Sequence, residues 1–355
     1  MKNVLTLIIA MVGFINYNYA TIRTVSNNLY SPGQYTNLQT AIDASSAGDT
    51  VYVQPSPIVY AGSGSSNFVS VKNRICLFGG GYDGRTYQYG LTTQLLGITF
   101  DSIAAQGSYF CGFSVPNIRE NLVIVANITF ERCYMNSGVI NANSAQGWVV
   151  RNCILVNAIL TSLFNATISN NIISGTGQTY VFNSSINNNI FYNIYIASPN
   201  NVIRATNSVL NNNIFIFDSI ETGIYPGFNC TNSVFNNNIS YSSGNVSVVL
   251  PPVGNTGANN LSNTDPQFVS TRLSVGIDSL AMPALAGYNW HLKTSSAGHN
   301  TGADGSDMGI YGGTFPMPNL DGVPPLPQVR RMDILNPQVP FNGSLNVHVI
   351  GTTRN

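Results

Sequence analysis

The sequence predicts an all-β solenoid, a chain wound into stacked coils of short strands. Three observations predict it. Hydrophobic residues make up 44% of the 355 residues and charged residues only 8%, against roughly 25% charged in an average soluble domain. The middle of the chain repeats one short pattern at intervals of 18 to 25 residues. Each copy is followed by a brief β-type apolar run instead of a helical one.

The composition bounds the partners. Lys+Arg and Asp+Glu are both 14, so the formal net charge is zero. No basic field exists to hold a nucleic acid, and no polybasic patch to hold anionic lipid. The apolar share is too high for a disordered chain. Beyond residue 20 there are three Glu and two Lys, Lys72 and Lys293. A surface built of Asn, Ser, Thr, Gly and Tyr has the character of an exported β-rich protein.

The first element is a targeting segment, residues 1–20. Lys2 precedes the apolar run Val4–Ile15, which has the length of a signal-peptide core and is short for a membrane span. Ala20 is the expected last residue before cleavage, although Asn18 stands where a second small residue is preferred. Secretion or display at the cell surface is the expectation; an N-terminal anchor is the alternative. No later apolar run approaches a membrane span.

The repeat comes next. Asn165-Ala-Thr-Ile-Ser-Asn-Asn171, Asn183-Ser-Ser-Ile-Asn-Asn-Asn189, Asn207-Ser-Val-Leu-Asn-Asn-Asn213 and Asn232-Ser-Val-Phe-Asn-Asn-Asn238 share one pattern, and their last Asn steps by 18, 24 and 25. Runs of Asn oppose a helical repeat, and a propeller blade needs about forty residues. One coil per repeat, with neighbouring coils pairing in parallel at about 4.8 Å, remains. Asn tolerates the left-handed backbone of a tight bend, and stacked Asn side chains can form an amide ladder. Read backwards, the register falls on Cys153, Cys133 and Cys111, and after a longer insertion on Cys76. The expected structural stack is therefore Cys111, Cys133, Cys153, Asn171, Asn189, Asn213 and Asn238, with the thiols free. Cys230 lies outside this register. The odd count of five Cys does not suit a disulfide framework, and no zinc spacing occurs.

At the start of the domain, Tyr35–Val53 contains Leu38, Ala41 and Ile42 on one helical face, Gly48 as a stop, and the strand Val51–Val53. A helix here would cover the open edge of the first coil. Together with Asp265-Pro-Gln-Phe-Val269, Trp290-His-Leu-Lys293 and Gly302–Ile310 near the end, these features resemble the right-handed parallel β-helix, or pectin-lyase-like, superfamily in its exported bacterial branch. The resemblance covers most of residues 21–313, with the cap at 21–53. Residues 314–328 hold five prolines and read as an extended linker. Residues 329–355 read as a strand pair with Asn342-Gly343 at its turn.

The resemblance implies polysaccharide chemistry, which needs charged groups on one face. Hydrolases of this fold use two or three carboxylates, with Asp-Asp, His-Gly and Arg-x-Lys signatures; this chain has none of the three. Lyases use an acidic calcium cage and an Arg or Lys base. Between Tyr134 and Leu250 only Arg151, Arg204, Asp218 and Glu221 are charged. Arg204, Asp218 and Glu221 are the catalytic candidates; a solvated loop with a surface ion pair is the structural alternative. Tyr192, Tyr195 and Tyr225 are candidates for stacking sugar rings. Asp304 and Asp307 could ligate calcium, the one cofactor the sequence suggests, or cap their own turn.

Two functions follow. The missing constellations favour a non-catalytic structural, adhesive or glycan-binding module, with an extracellular polysaccharide as its expected partner. The alternative is a lyase or glycoside hydrolase acting on a uronate-type polymer, its site in the loops 54–70, 79–94 or 216–229.

Overall fold

The computed structural model describes residues 20–352 apart from 30, 85–89, 121–122, 137–138, 142–143, 175–178, 195–202, 218–227, 243–246, 271–287, 319 and 337. The chain visits three parallel sheets in turn. Among the described residues, sheet 1 has ten strands, running from Ile22–Val25 to Val234–Asn236. Sheet 2 has six, from Tyr134–Asn136 to Ile239–Ser242, and sheet 3 has seven, from Val69–Val71 to Ile203–Thr206. One coil runs Thr167–Ser169, Ile172–Ser174, Thr179–Phe182 and then onward to Ser185–Asn187, which pairs with Thr167–Ser169 in register.

The bends explain the asparagines. Between sheets 1 and 2, Gly112, Arg132, Asn152, Asn170, Asn188, Asn212 and Asn237 all take positive φ, from 51° to 83°. Between sheets 3 and 1, Gly107, Asn127, Gly147, Asn165, Asn183, Asn207 and Asn232 do the same, from 49° to 75°. This left-handed conformation costs other residues about 1–2 kcal/mol, and Gly and Asn visit it most readily. The connections between sheets 2 and 3 absorb the length variation. Val156 and Ile159 are nearly adjacent, whereas Ile194 and Ile203 are nine positions apart.

Alternation along each strand fills the interior. Val150, Ile168, Ile186, Leu210 and Phe235 point inward from sheet 1, and Leu155, Phe191 and Phe215 from sheet 2, all fully buried. Sheet 2 is apolar on its other face as well. Ile154, Ile172, Ile190 and Ile214 form a second core with Trp290, Leu292, Met308, Ile310 and Met317 from the C-terminal part of the chain.

Two buried polar columns run along the axis. In the first, each side-chain amide donates to the next Asn: Asn171 to Asn189 at 2.9 Å, then Asn189 to Asn213, Asn213 to Asn238 and Asn238 to Asn260 at 3.0 Å. The same Nδ2 atoms donate to carbonyls of the preceding coil, such as Ile168 and Ile186, at 2.8 Å. Cys133 and Cys153 occupy the next two positions: the Cys153 amide donates to Asn171 Oδ1 at 2.8 Å and the Cys133 amide to Cys153 Sγ at 3.4 Å. In the second column the amides of Ala166, Ser184 and Ser208 donate to the hydroxyls of Ser184, Ser208 and Ser233 at 2.9–3.1 Å.

Cys111 does not belong to the first column. It pairs in register with Phe78 and Glu131, two positions before Cys133, and the bend residue Gly112 places Phe113 where the column would continue. Cys76 is also displaced, aligned with Tyr109.

The helix Leu38–Asp43 covers the N-terminal edge and buries Leu38, Ala41 and Ile42. Its Gln39 side chain donates to Ser70 O at 2.9 Å and accepts from Ser70 N at 2.8 Å, replacing a neighbouring strand for Val69–Val71. Ala44, and not Gly48, is the C-cap; Gly48 takes its positive φ in the turn into Thr50–Val53.

Residues 301–318 and 320–324 form a strap, which corrects the reading of 314–328 as a linker. The strap runs back along the sheet 1–sheet 2 bend, and the left-handed residues of the bend hold it. Asn237 donates to Thr301 O, Asn188 to Gly309 O, Asn170 to Ile310 O and Gly312 O, Asn152 to Phe315 O and Arg132 to Val323 O, at 2.8–3.3 Å. Prolines suit it because the strap contributes carbonyls here, and a missing N–H costs nothing. Gly312 is required by close approach: a Cβ there would stand 2.8 Å from Asn188 Nδ2 and nearer still to Asp307 O. Beyond the strap, Gln328–Ile334 and Val347–Thr352 form an antiparallel hairpin.

Candidate functional site

The outer faces of the three sheets differ in what they offer. The sheet 2 face is covered by the C-terminal chain. Tyr192 lies within that second core, 1% exposed, with its ring edge-on to Trp290 at 5.1 Å. It therefore cannot stack on a sugar, which corrects its reading as a binding residue.

The sheet 1 face is a flat polar grid. Outward residues fall in ranks, Asn165, Asn183, Asn207 and Asn232, then Thr167, Ser185, Val209 and Val234, then Ser169, Asn187, Asn211 and Asn236. Two of its contacts are internal: Asn187 donates to Ser185 Oγ at 2.5 Å and Asn236 to Asn211 Oδ1 at 3.3 Å.

The sheet 3 face carries cations and rings. Ile203 and Ala205 point inward and are fully buried, so Arg204 points outward. Its guanidinium lies over the Tyr180 ring of the neighbouring strand at 4.6 Å, and its Nε is buried without a hydrogen-bond partner. Farther along the axis, Ile118 is buried and Arg119 exposed, with the Arg119 guanidinium 5.5 Å from the Phe68 ring. Arg119 is in register with Thr99 on one side and Asn141 on the other, and Asn141 with Thr161. Near Arg204, Phe164 and Phe182 stack at 4.6 Å and 13°. At the opposite end the Asp101 carboxylate accepts from the Ser70 and Thr99 hydroxyls. Four strand steps separate the two arginines, roughly 19 Å at ordinary interstrand spacing. The fold, and not the sequence order, brings Arg119 and Arg204 onto one face.

Of the remaining candidates, Asp218, Glu221, Tyr195 and Tyr225 lie outside the described residues, as do residues 1–19, where a targeting segment is expected. Asp304 accepts from the Ser306 hydroxyl at 2.6 Å and the Ser306 amide at 3.2 Å, and that hydroxyl above all holds its carboxyl below the usual range. Asp307 accepts from the Asn300 amide at 2.9 Å and meets His299 Nδ1 at 2.7 Å. Both carboxylates are engaged in their own turn. Among the described residues no group of three His, Cys, Asp or Glu could hold a metal, and no helix is long and apolar enough to cross a membrane.

Three parallel sheets, each receiving one strand per coil, decide the architecture. The fold is the right-handed parallel β-helix. No family model matches the chain, and no curated protein matches it. Solved structures do. The A-module of an Azotobacter vinelandii mannuronan C-5 epimerase is 12% identical over 65% of this chain and 96% of its own, with a TM-score of 0.36. A pectate lyase is 12% identical over 83% and 96%, with a TM-score of 0.39. A pectin methylesterase from Aspergillus niger is 13% identical over 67% and 86%, with a TM-score of 0.34. At these identities the likeness is one of fold.

One cluster on the β-helix escaped the sequence reading. Glu131, 6% exposed, accepts from Arg151 Nη2 at 2.6 Å and Nε at 2.9 Å and from the Tyr109 hydroxyl at 2.9 Å, with Arg132 Nε 3.6 Å away. The Arg151 guanidinium lies 4.3 Å from the Phe315 ring of the strap. Burial pushes the Tyr109 hydroxyl and the Cys111 thiol far above their ordinary pKa values. The cluster fastens the strap instead of facing solvent. In a chain so poor in charge, the adjacent pair Glu131-Arg132 was the signal that could have found it.

Proposed function

We propose that the protein is an exported parallel β-helix that binds an extended, carboxylate-bearing polysaccharide along its sheet 3 face without cleaving it. The observation that carries this reading is the placement of Arg119 and Arg204 on one face, each beside an aromatic ring. A guanidinium pairs with a carboxylate through a planar fork; the half-buried Tyr180 ring can also meet a sugar, whereas Phe68, 6% exposed, only backs Arg119. A pyranose unit is about as long as one strand spacing of roughly 4.8 Å, so a polymer laid along the axis can place carboxylates at both arginines. The described residues of this face contribute Asp101 as an acid, held by Ser70 and Thr99, whereas glycoside hydrolysis uses a carboxyl pair.

Affinity electrophoresis with polygalacturonate, alginate and neutral dextran tests the reading. Binding to the two uronates, weakening with salt, is expected. R119Q and R204Q should each weaken it several-fold, and the double variant should abolish it. Equal retention by dextran, or unchanged retention of the double variant, would overturn the proposal. Release of unsaturated or reducing ends from either uronate would replace it with the lyase or hydrolase reading, in which Asp218 and Glu221 join Arg204.

A further inference from the structure

The hairpin Gln328–Ile334/Val347–Thr352 exposes apolar side chains on one face. An isolated two-stranded sheet is marginally stable in water, and three or more strands with an apolar face are needed to stand alone. Among the described residues, Gln328–Ile334 and Val347–Thr352 pair with each other alone. Ile334 pairs with Val347 across the hairpin, and Val347 is two residues from Val349 on the same face. These three side chains are 56%, 39% and 50% exposed, and the adjoining Leu335, Phe341 and Leu345 are more than half exposed. The other face carries the Asp333–His348 pair at 3.5 Å.

The two edges are unlike. Gln328–Ile334 includes Arg330, Arg331 and Asp333, the kind of charge that blunts an edge. Val347–Thr352 has the sequence VHVIGT, with no Asp, Glu, Lys or Arg, so two copies can meet without like-charge repulsion. The Leu335 amide donates to Asn346 O at 2.9 Å. Alternation from that bond turns the N–H and C=O groups of Val347 and Val349 away from Gln328–Ile334 and toward the open edge.

We propose that this edge pairs antiparallel with the same edge of a second copy, giving a closed two-fold dimer with a four-stranded sheet and a joined apolar face. Identical edges related by a two-fold axis form an isologous contact, which stops at two subunits. A two-fold antiparallel pair needs no other protein, and the exposed apolar face supplies the burial that a lone hairpin lacks.

Sedimentation velocity of the full chain at micromolar concentration tests the proposal. The intact protein should sediment as a dimer. V349P, which removes an outward N–H, and V349K, which places a charge on the edge, should each halve the mass and leave the thermal midpoint of the β-helix unchanged. In V349K, continued protection of the His348 amide from hydrogen exchange shows that the hairpin itself remains folded. A monomeric intact protein, a dimer that survives both substitutions, or an open-ended assembly would each overturn the proposal.

Discussion

Asn188 and Asn189 are neighbours in the chain with opposite duties. Asn188 takes the left-handed conformation, φ 56°, and turns its amide outward to Gly309 O of the strap. Asn189 turns inward, fully buried, accepts from the Asn171 amides and donates to Asn213 Oδ1. Asn187, the first of the triplet, lies on the outer grid. Three identical letters thus encode a surface residue, a bend that fastens the strap, and a rung of the buried column.

The two duties are separable by substitution. N189L strands the Asn171 backbone amide and one hydrogen of its side-chain amide and removes the donor to Ile168 O, while the Asn189 backbone amide still serves Asn213 Oδ1; unsatisfied buried groups cost about 1–3 kcal/mol each. We expect a loss of about 3 kcal/mol or more. N188G keeps the backbone and loses only the strap contact, so it should cost about 1 kcal/mol. N188A adds the left-handed penalty of about 1–2 kcal/mol. Urea midpoints should rank N188G, N188A, N189L in order of increasing damage; any other order contradicts the division of roles.

Asp49 gives the cap an acid-sensitive anchor. Burial alone would raise its carboxyl, but the Thr21 and Ser46 amides, at 2.6 and 2.9 Å, and the Arg23 guanidinium outweigh burial and hold it below the ordinary 3.8. A depressed folded value means stabilisation that is complete above the unfolded pKa and lost as pH falls through the folded one. D49N should therefore cost about 1.5–3 kcal/mol at neutral pH, and the gap to the parent should close as pH drops below about 3.8. A gap of constant size from pH 7 to pH 3 would count against this anchor.

The five cysteines are free thiols, and Cys111, Cys133, Cys153 and Cys230 are buried. Burial pushes Cys230 up to about 12 and Cys111 and Cys133 upward as well. Thiolate is the reactive form, so a thiol reagent at pH 8 should label at most the half-buried Cys76 in the folded protein and all five on unfolding. Rapid native labelling of Cys133 or Cys153 would show that they are not in the column.

Much of this was legible in the sequence. The Asn repeat announced coils, the bend and the inward stack, because a strand position that must pile on its equivalent cannot drift in residue type. The division of labour within the triplet was not legible, since all three roles suit the same amide. Ser184, Ser208 and Ser233 passed unnoticed because serine in a polar repeat reads as filler until its burial is seen. Cys111 was misplaced because the register follows the left-handed residue before each rung, and there that residue is Gly112. The prolines after residue 313 suggested a spacer, whereas bend residues grip the carbonyls of Phe315 and Val323, each directly before a proline. Tyr192 was misread because nothing local reveals that Trp290 returns to cover it. Arg119 and Arg204 are 85 positions apart, and only the register joins them.

The winding itself admits one direct test. Spin labels on cysteines introduced at the exposed corner positions Asn127, Asn183, Asn207 and Asn232 sample one column, in a C76S background. Pairs from Asn127 to the other three span 56, 80 and 105 residues but only three, four and five coils. Their separations should rise evenly, about 14, 19 and 24 Å along the axis. Distances that fail to rise by one strand spacing per coil would contradict the solenoid and everything built on its register.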